Sequence, residues 1–303
     1  MKNIFYLLLI TLLVLGGFAV ISKWQVANAN AETNQVEITE KDGYRFIKSN
    51  GIPNHDTGRF PNAHNPNTIG SQKYNFRVPI EPKQNERPTF TQLFGVALNG
   101  VPFDPGTAEL WNQDFNWRYE ALTGSIDLGV DSSLAHVQPN GAYHYHGIPK
   151  GLVDKLNGQG KVVLIGYASD GFPVYSQFGY SNPNDANSAV KELKGSYRTK
   201  EGNRPANSPN GKYDGTFVAD WEYVTGLGDL DQCNGRFGVT PEYPKGVYHY
   251  YLTTTYPFIP RCTMGTPDPS FRKMGPPPGG GRPGGGRPPM GGLPPNGRPP
   301  IEE

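Results

Sequence analysis

The sequence has no strong excess of charge of either sign. Its 303 residues carry a formal net charge of +1, and charged residues make up only 18% of the chain. Proteins that bind nucleic acid usually present a strongly basic surface, so this balance argues against nucleic acid as a partner. The chain also lacks a Walker A loop, a dinucleotide-binding fingerprint and an HExxH motif, which argues against the activities that those motifs serve.

Long helical patterns are scarce as well, whereas glycine and proline are abundant, with 39 and 30 residues. That composition favours turns and short strands. The 17 tyrosines can supply much of the buried area of a domain with many loops. We therefore expect an α+β fold that is mostly β, with short helices and long loops.

The first 31 residues have the pattern of a targeting segment. Lys2 precedes an apolar run from Ile4 to Ile21, and residues 29–31 (Ala-Asn-Ala) fit a cleavage site. We predict a signal peptide over residues 1–31. An uncleaved membrane anchor is the alternative, because the apolar run is close to spanning length. Either segment would export the remaining chain to the periplasm or the medium, with membrane contact only through an uncleaved N-terminus.

Cysteine is nearly absent, since Cys233 and Cys262 are the only two. An oxidising compartment favours a disulfide between them, and two free buried thiols are the alternative. A metal–thiolate site is disfavoured because the spacing is not that of a CxxC pair.

Composition divides the exported chain into three parts. Residues 32–50 are polar and predict a poorly ordered leader, whereas residues 51–265 predict the folded domain. Residues 266–303 are mostly glycine and proline and predict a disordered tail. The arginines of the tail suit an anionic surface or polymer, although solubility alone explains them.

The heptapeptide GAYHYHG, residues 141–147, has the pattern of a metal-binding strand. Residues i and i+2 of a strand share a face, so His144 and His146 lie side by side. Neutral imidazoles suit zinc, copper, iron or nickel. We predict a copper or zinc site with His136, His144 and His146 as ligands and Asp131 as a fourth ligand or a supporting group. A half-buried strand with structural histidines is the competing interpretation.

A near copy, GVYHYYL, follows at residues 246–252. In this copy His249 corresponds to His144 and Tyr251 to His146, while Arg236 stands where His136 would be. The likeness predicts two pseudo-repeated β units. His249 is then either part of a structural echo or a ligand that completes a site shared by the two units.

Signals for catalysis are weaker, because the chain has no GxSxG nucleophile elbow and no evident pair of carboxylates. Asp170, in the stretch SDGFPVY, is the candidate for a general base. Other carboxylates that suit this role are Asp104, Glu109, Asp214, Asp220 and Glu222. His55 and His64 lie in a loop rich in asparagine and proline and are less favoured as ligands.

Several stretches together resemble the YHYH-domain family. They are HVQPNGAYHYHGIP, IGYASDGFPVY, YDGTFVADWEYV and DLDQCNGRFGVTPEYPKGVYHYYLTTTYPFIPRC, and the resemblance covers roughly residues 51–265. It implies an exported bacterial-type protein, often with a Pro/Gly-rich tail, and it implies no particular reaction. Some members of the family carry histidine where this chain has Arg236.

Three functions are compatible with these patterns. The first is an extracytoplasmic domain that binds a transition metal. The second is a metal-dependent extracytoplasmic enzyme, hydrolytic or redox, which needs an open coordination position and a base. The third is a non-catalytic interaction module that binds polysaccharide or another partner through aromatic side chains and needs no metal.

Overall fold

The structure is a computed structural model, and it describes residues 32–273. The predicted signal segment, residues 1–31, lies outside this range, as do residues 274–303 of the predicted tail. Within residues 32–273, none of the helices has both the length and the apolar character needed to cross a bilayer.

The described chain is mostly β, as expected, and its strands are short. The strands of the two largest sheets are Val36–Lys41 (β1), Tyr44–Ser49 (β2), Tyr74–Pro79 (β3), Gly95–Ala97 (β5), Pro102–Phe103 (β6), Ala135–Val137 (β7), Tyr143–Tyr145 (β8), Leu164–Ala168 (β9), Pro173–Tyr175 (β10), Gly235–Gly238 (β15) and Val247–Tyr251 (β16). The remaining strands form pairs: Thr89–Phe90 (β4), Phe178–Tyr180 (β11), Val190–Glu192 (β12), Tyr197–Thr199 (β13), Trp221–Tyr223 (β14) and Cys262–Thr263 (β17). One α-helix, Lys150–Lys155 (α1), lies within the described residues.

The largest sheet has the strand order β15-β16-β10-β9-β5-β6-β8-β7. Neighbouring strands are antiparallel except for two parallel pairs, β16 with β10 and β6 with β8. The two inner hairpins turn at Asn99-Gly100 and Asp170-Gly171, because an Asx-Gly pair between two strand-like stretches favours a tight turn. Both glycines have a positive φ, +80° and +97°. The β7–β8 and β15–β16 hairpins therefore lie at opposite ends of the sheet.

Tyrosines fill much of the core, as the composition predicts. Tyr143, Tyr145, Tyr175, Tyr250 and Tyr251 are all fully buried. Their hydroxyls have hydrogen-bond partners, which is what makes the burial of a phenol favourable.

Residues 32–50, which the sequence predicts to be a poorly ordered leader, contain two regular strands. Strands β1 and β2 occupy it and pair with β3. Ile47 is 1% exposed and packs against Phe76 and Val78 of β3. The strand pattern is hard to detect in the sequence because Arg45 and Ser49, which lie on the same inward face of β2 as Ile47, are polar.

The folded domain also extends beyond residue 265, after which the sequence predicts the disordered tail. Residues 266–273, hereafter the C-terminal segment, contain a 3₁₀ turn at Pro269–Phe271 whose Phe271 is 2% exposed. The ring of Phe271 stacks on Phe76 at 4.5 Å between centroids, and Asp268 forms an ion pair with Arg77 at 2.9 Å. A single aromatic residue among prolines and polar residues thus extends the folded domain to Lys273.

Two further expectations have clear outcomes. Cys233 and Cys262 form the predicted disulfide, with their Cα atoms 5.3 Å apart. The sequence of residues 108–124 is compatible with a short helix, although polar residues break the helical period, and the structure has only a 3₁₀ turn there, at Trp111–Gln113.

Candidate metal centre

The β7–β8 hairpin brings together the three histidines that the sequence predicts as ligands. His136 and His144 are direct cross-strand partners, and His146 follows β8 two residues after His144. The hairpin turns at Gly141, whose φ of +85° favours glycine. The tyrosines of the motif point to the other face, as strand alternation requires. Below, His136, His144 and His146 are called the histidine cluster.

The Nε2 atoms of the histidine cluster converge on one point. His146 Nε2 lies 3.0 Å from His144 Nε2 and 3.1 Å from His136 Nε2. One nitrogen from each ring falls within 4.8 Å of the others. Ligand nitrogens about 2.0–2.1 Å from a tetrahedral ion lie about 3.3 Å from one another. The observed spacing is therefore close to that of three ligands around one ion.

Backbone carbonyls orient two of the three rings. His136 Nδ1 lies 3.0 Å from the Leu128 carbonyl oxygen, and His144 Nδ1 lies 3.1 Å from the Ala142 carbonyl oxygen. A carbonyl accepts but cannot donate, so His144 Nδ1 carries the proton and its Nε2 keeps its lone pair. The Leu128 carbonyl favours the same tautomer of His136, whose Nδ1 also lies 3.2 Å from the Asn65 amide nitrogen. His146 Nδ1 is buried with no hydrogen-bond partner. Lone pairs crowded at one point are stabilised by a cation placed between them.

Burial keeps these imidazoles neutral. His144 and His146 are each only 3% exposed, and His136 is half-buried. Desolvation lowers the pKa of all three, that of His144 to about 4, against the weaker opposing effect of the Asp104 carboxylate on His144. Neutral imidazole is the form that binds metal, so the histidine cluster is ready to ligate at neutral pH.

Asp131 lies outside the histidine cluster. Its Oδ1 accepts the backbone N–H groups of Ser133 at 2.9 Å and Ala135 at 3.3 Å. Its Oδ2 accepts the Tyr143 hydroxyl at 2.7 Å and the backbone N–H of Gly58 at 3.1 Å. Asp131 thus stabilises the turn before β7, and its oxygens are not part of the group of three converging ligand atoms.

The second hairpin repeats that framework without the histidine cluster. Asp231 Oδ1 accepts two backbone N–H groups at 2.9 Å, and its Oδ2 accepts the Tyr248 hydroxyl at 2.7 Å. Arg236 pairs with His249 across the strands. His249 Nε2 lies 2.8 Å from the Tyr251 hydroxyl, which in turn lies 3.3 Å from an Arg236 nitrogen.

His249 therefore has its own partners at the far end of the sheet. Since β15–β16 and β7–β8 are the two ends of the strand order, His249 cannot complete the site of the first hairpin within one chain. His249 is not among the converging ligand atoms and belongs to a separate polar group with Tyr251 and Arg236.

The other candidate residues also lie elsewhere. Asp170 is buried in the β9–β10 turn, where Oδ2 accepts the Tyr250 hydroxyl at 2.6 Å and the Gly265 N–H at 2.8 Å. Burial raises its pKa to about 6, and its partners, Tyr250 and Gly265, lie outside the histidine cluster. Its role as a general base stays a prediction. His55 contacts the Tyr145 hydroxyl at 2.6 Å, and exposed His64 lies 3.3 Å from Asp127.

One of the carboxylates that the sequence offers as a general base, Asp104, lies near the histidine cluster, and the sequence does not predict that proximity. Asp104 directly follows β6, which runs parallel to β8, and it is fully buried. About 40 residues separate it from the YHYH motif, and no local pattern predicts that parallel pairing.

Comparison with protein families decides the relationship that the motifs suggest. Residues 75–265 match the family described as YHYH protein. The chain belongs to the YHYH family. The match includes both hairpins and the histidine cluster, and it begins after β1 and β2. Searches of curated proteins and of solved structures gave no match.

Proposed function

We propose that this YHYH-family protein is exported and binds one copper or zinc ion through the Nε2 atoms of the histidine cluster. The convergence of three nitrogens, two of them 3.0 and 3.1 Å from the third, carries this proposal. Two rings are held in the ligating tautomer by carbonyls, and burial keeps all three neutral.

The donor atoms favour copper or zinc over other ions. Imidazole nitrogen is a ligand of intermediate softness that suits zinc and copper, whereas calcium and magnesium prefer oxygen. Both cysteines are joined in the disulfide, so thiolate ligation is excluded. Three protein ligands would leave one coordination position for water or another ligand.

Elemental analysis of the full chain, purified from its native compartment without chelators, tests this proposal. We expect close to one equivalent of copper or zinc per chain, and chelator-treated protein should take up the same amount again. A preparation that contains no transition metal and takes none up would refute it.

Export is supported by the N-terminal pattern and by the disulfide. Disulfides persist in oxidising compartments and are rare in the cytosol. Edman sequencing of the mature protein should begin at Glu32. Recovery of the uncleaved N-terminus in a membrane fraction would instead favour the anchor.

A metal-dependent enzyme is the second candidate function. It is favoured by the coordination position that three ligands leave open and by the partial exposure of His136. Hydrolytic or redox turnover would have to depend on metal and disappear with the histidine cluster. A polysaccharide-binding module would instead be unaffected by chelators, so binding assays with and without chelator separate the two.

We also propose that the central sheet consists of two related β units. The order β7-β8-β6-β5 in one half mirrors β15-β16-β10-β9 in the other, including one parallel pair in each. Asp131 and Asp231 make matching hydrogen bonds. The double variant Arg236→His/Tyr251→His should therefore create a second metal site. Stoichiometry that stays at one in a folded variant would contradict the relationship.

A further inference from the structure

Asp104 projects onto the face of the sheet that carries the histidine cluster. Phe103 of β6 is the parallel partner of Tyr145, and their rings pack at 5.9 Å on the tyrosine face. The next residue, Asp104, must point to the opposite face. Gln138 confirms this placement, because it lies two residues after His136 and its side-chain amide reaches Asp104 Oδ2 at 3.2 Å.

The half of the sheet that contains β15 and β16 shows how close the residue at the position of Asp104 lies to the hairpin histidine. There Val174 is the parallel partner of Tyr250, so Tyr175 occupies the place of Asp104. The ring of Tyr175 lies 5.3 Å from the ring of His249. In the half with the histidine cluster, this neighbouring position carries a carboxylate.

A lysine from the C-terminal segment neutralises that carboxylate. Lys273 Nζ lies 2.6 Å from Asp104 Oδ2, and the side chain of Asp104 is 1% exposed whereas that of Lys273 is 41% exposed. Asp104 Oδ1 accepts the backbone N–H of Gly106 at 3.1 Å. The pair therefore has a fixed buried anion and a cation that approaches from the solvent side.

Both charges act on the imidazoles. The pKa of His144 is lowered mainly by burial, but the Asp104 carboxylate raises it and the Lys273 ammonium lowers it further. A divalent cation at the histidine cluster would be attracted by the Asp104 carboxylate and repelled by the Lys273 ammonium group. The charge of buried Asp104 is poorly screened by solvent, whereas that of the partly exposed Lys273 is screened more strongly.

We propose that Asp104 and Lys273 set the metal affinity of the histidine cluster through these opposing charges, Asp104 strengthening binding and Lys273 weakening it. This inference rests on the proposed metal-binding function. Asp104 acts as a positioning and charge-supplying residue next to the ligands, since its oxygens lie outside the group of three converging nitrogens. Lys273 in turn links the metal centre to the C-terminal segment, which Phe271 fixes to the domain.

Competition titration of the full chain with zinc and a chelator of known affinity tests the inference at neutral pH. Asp104→Asn keeps the size and the turn but removes the charge, and affinity should fall about tenfold or more. Lys273→Met keeps the aliphatic chain and should raise affinity severalfold. Arg272→Met is the matched control, because Arg272 is exposed and one residue away, and it should change nothing.

The opposite signs of the two effects exclude a merely structural role. Weaker zinc binding in both Asp104→Asn and Lys273→Met would overturn the inference. Equal zinc binding by the unaltered chain and all three variants would overturn it as well. Circular dichroism and urea unfolding establish that each variant is folded. If the unaltered chain itself binds no metal, the proposed metal function fails, and this outcome is distinct from unaltered binding in the variants.

Discussion

Replacing Phe271 with alanine removes the side chain that fixes the C-terminal segment to the domain. Phe271 is 2% exposed and stacks on Phe76 at 4.5 Å. Truncating a buried phenylalanine typically costs about 3–5 kcal/mol. The segment can detach as a unit, so the cost should not exceed the free energy of its docking, and we expect about 3 kcal/mol.

Urea unfolding with the disulfide intact measures this loss. The midpoint should fall for Phe271→Ala and for a chain that stops after Gly265, but not for Arg272→Ala or for a chain that stops after Lys273. An unchanged midpoint in the chain that stops after Gly265 would refute the reasoning, since it would show that the C-terminal segment contributes nothing to stability.

Three further predictions follow from the same structure. Cys233→Ser should cost about 3 kcal/mol, because the disulfide closes a loop across a separation of 29 residues, and titration of the unfolded, unreduced protein should find no free thiol. Asp131→Asn should lower the urea midpoint but leave zinc affinity unchanged, whereas a loss of affinity would restore Asp131 as a ligand. Metal-free protein should lose stability as pH falls from about 6.5 to about 4, because burial lowers the pKa of His144 and His249 to about 4 and the unfolded chain then binds more protons. Each histidine contributes on the order of 3 kcal/mol to the free energy of unfolding above this pH window. Asp170 partly offsets this loss of stability at low pH, because its pKa is raised to about 6 and the folded protein therefore binds its proton first. Urea unfolding curves that do not change between these pH values would contradict the assignment.

The sequence predicts best what depends on local periodicity. Strand alternation placed His144 and His146 on one face, and the two Asx-Gly turns were predicted correctly. The sequence does not reveal which oxygens a turn uses, and in the structure backbone N–H groups and tyrosine hydroxyls bind the carboxylates of both Asp131 and Asp170.

Long-range pairing accounts for the remaining errors. Strands β1 and β2 carry few apolar residues and are ordered by pairing with β3, and the C-terminal segment is held mainly by one aromatic ring. Asp104 approaches the histidine cluster only because β6 and β8 are parallel neighbours. Such contacts join segments tens of residues apart, and composition does not encode them.

Zinc titration of four single-alanine variants tests the central claim most directly. His136→Ala, His144→Ala and His146→Ala each remove one converging nitrogen, while His249→Ala removes an equally buried histidine from the equivalent place in the other hairpin. With folding checked by circular dichroism, the account predicts one equivalent of tightly bound zinc in the unaltered chain and in His249→Ala. It predicts none in His144→Ala and His146→Ala and weakened binding in His136→Ala. Full stoichiometric binding in all four variants, or loss confined to His249→Ala, would contradict it.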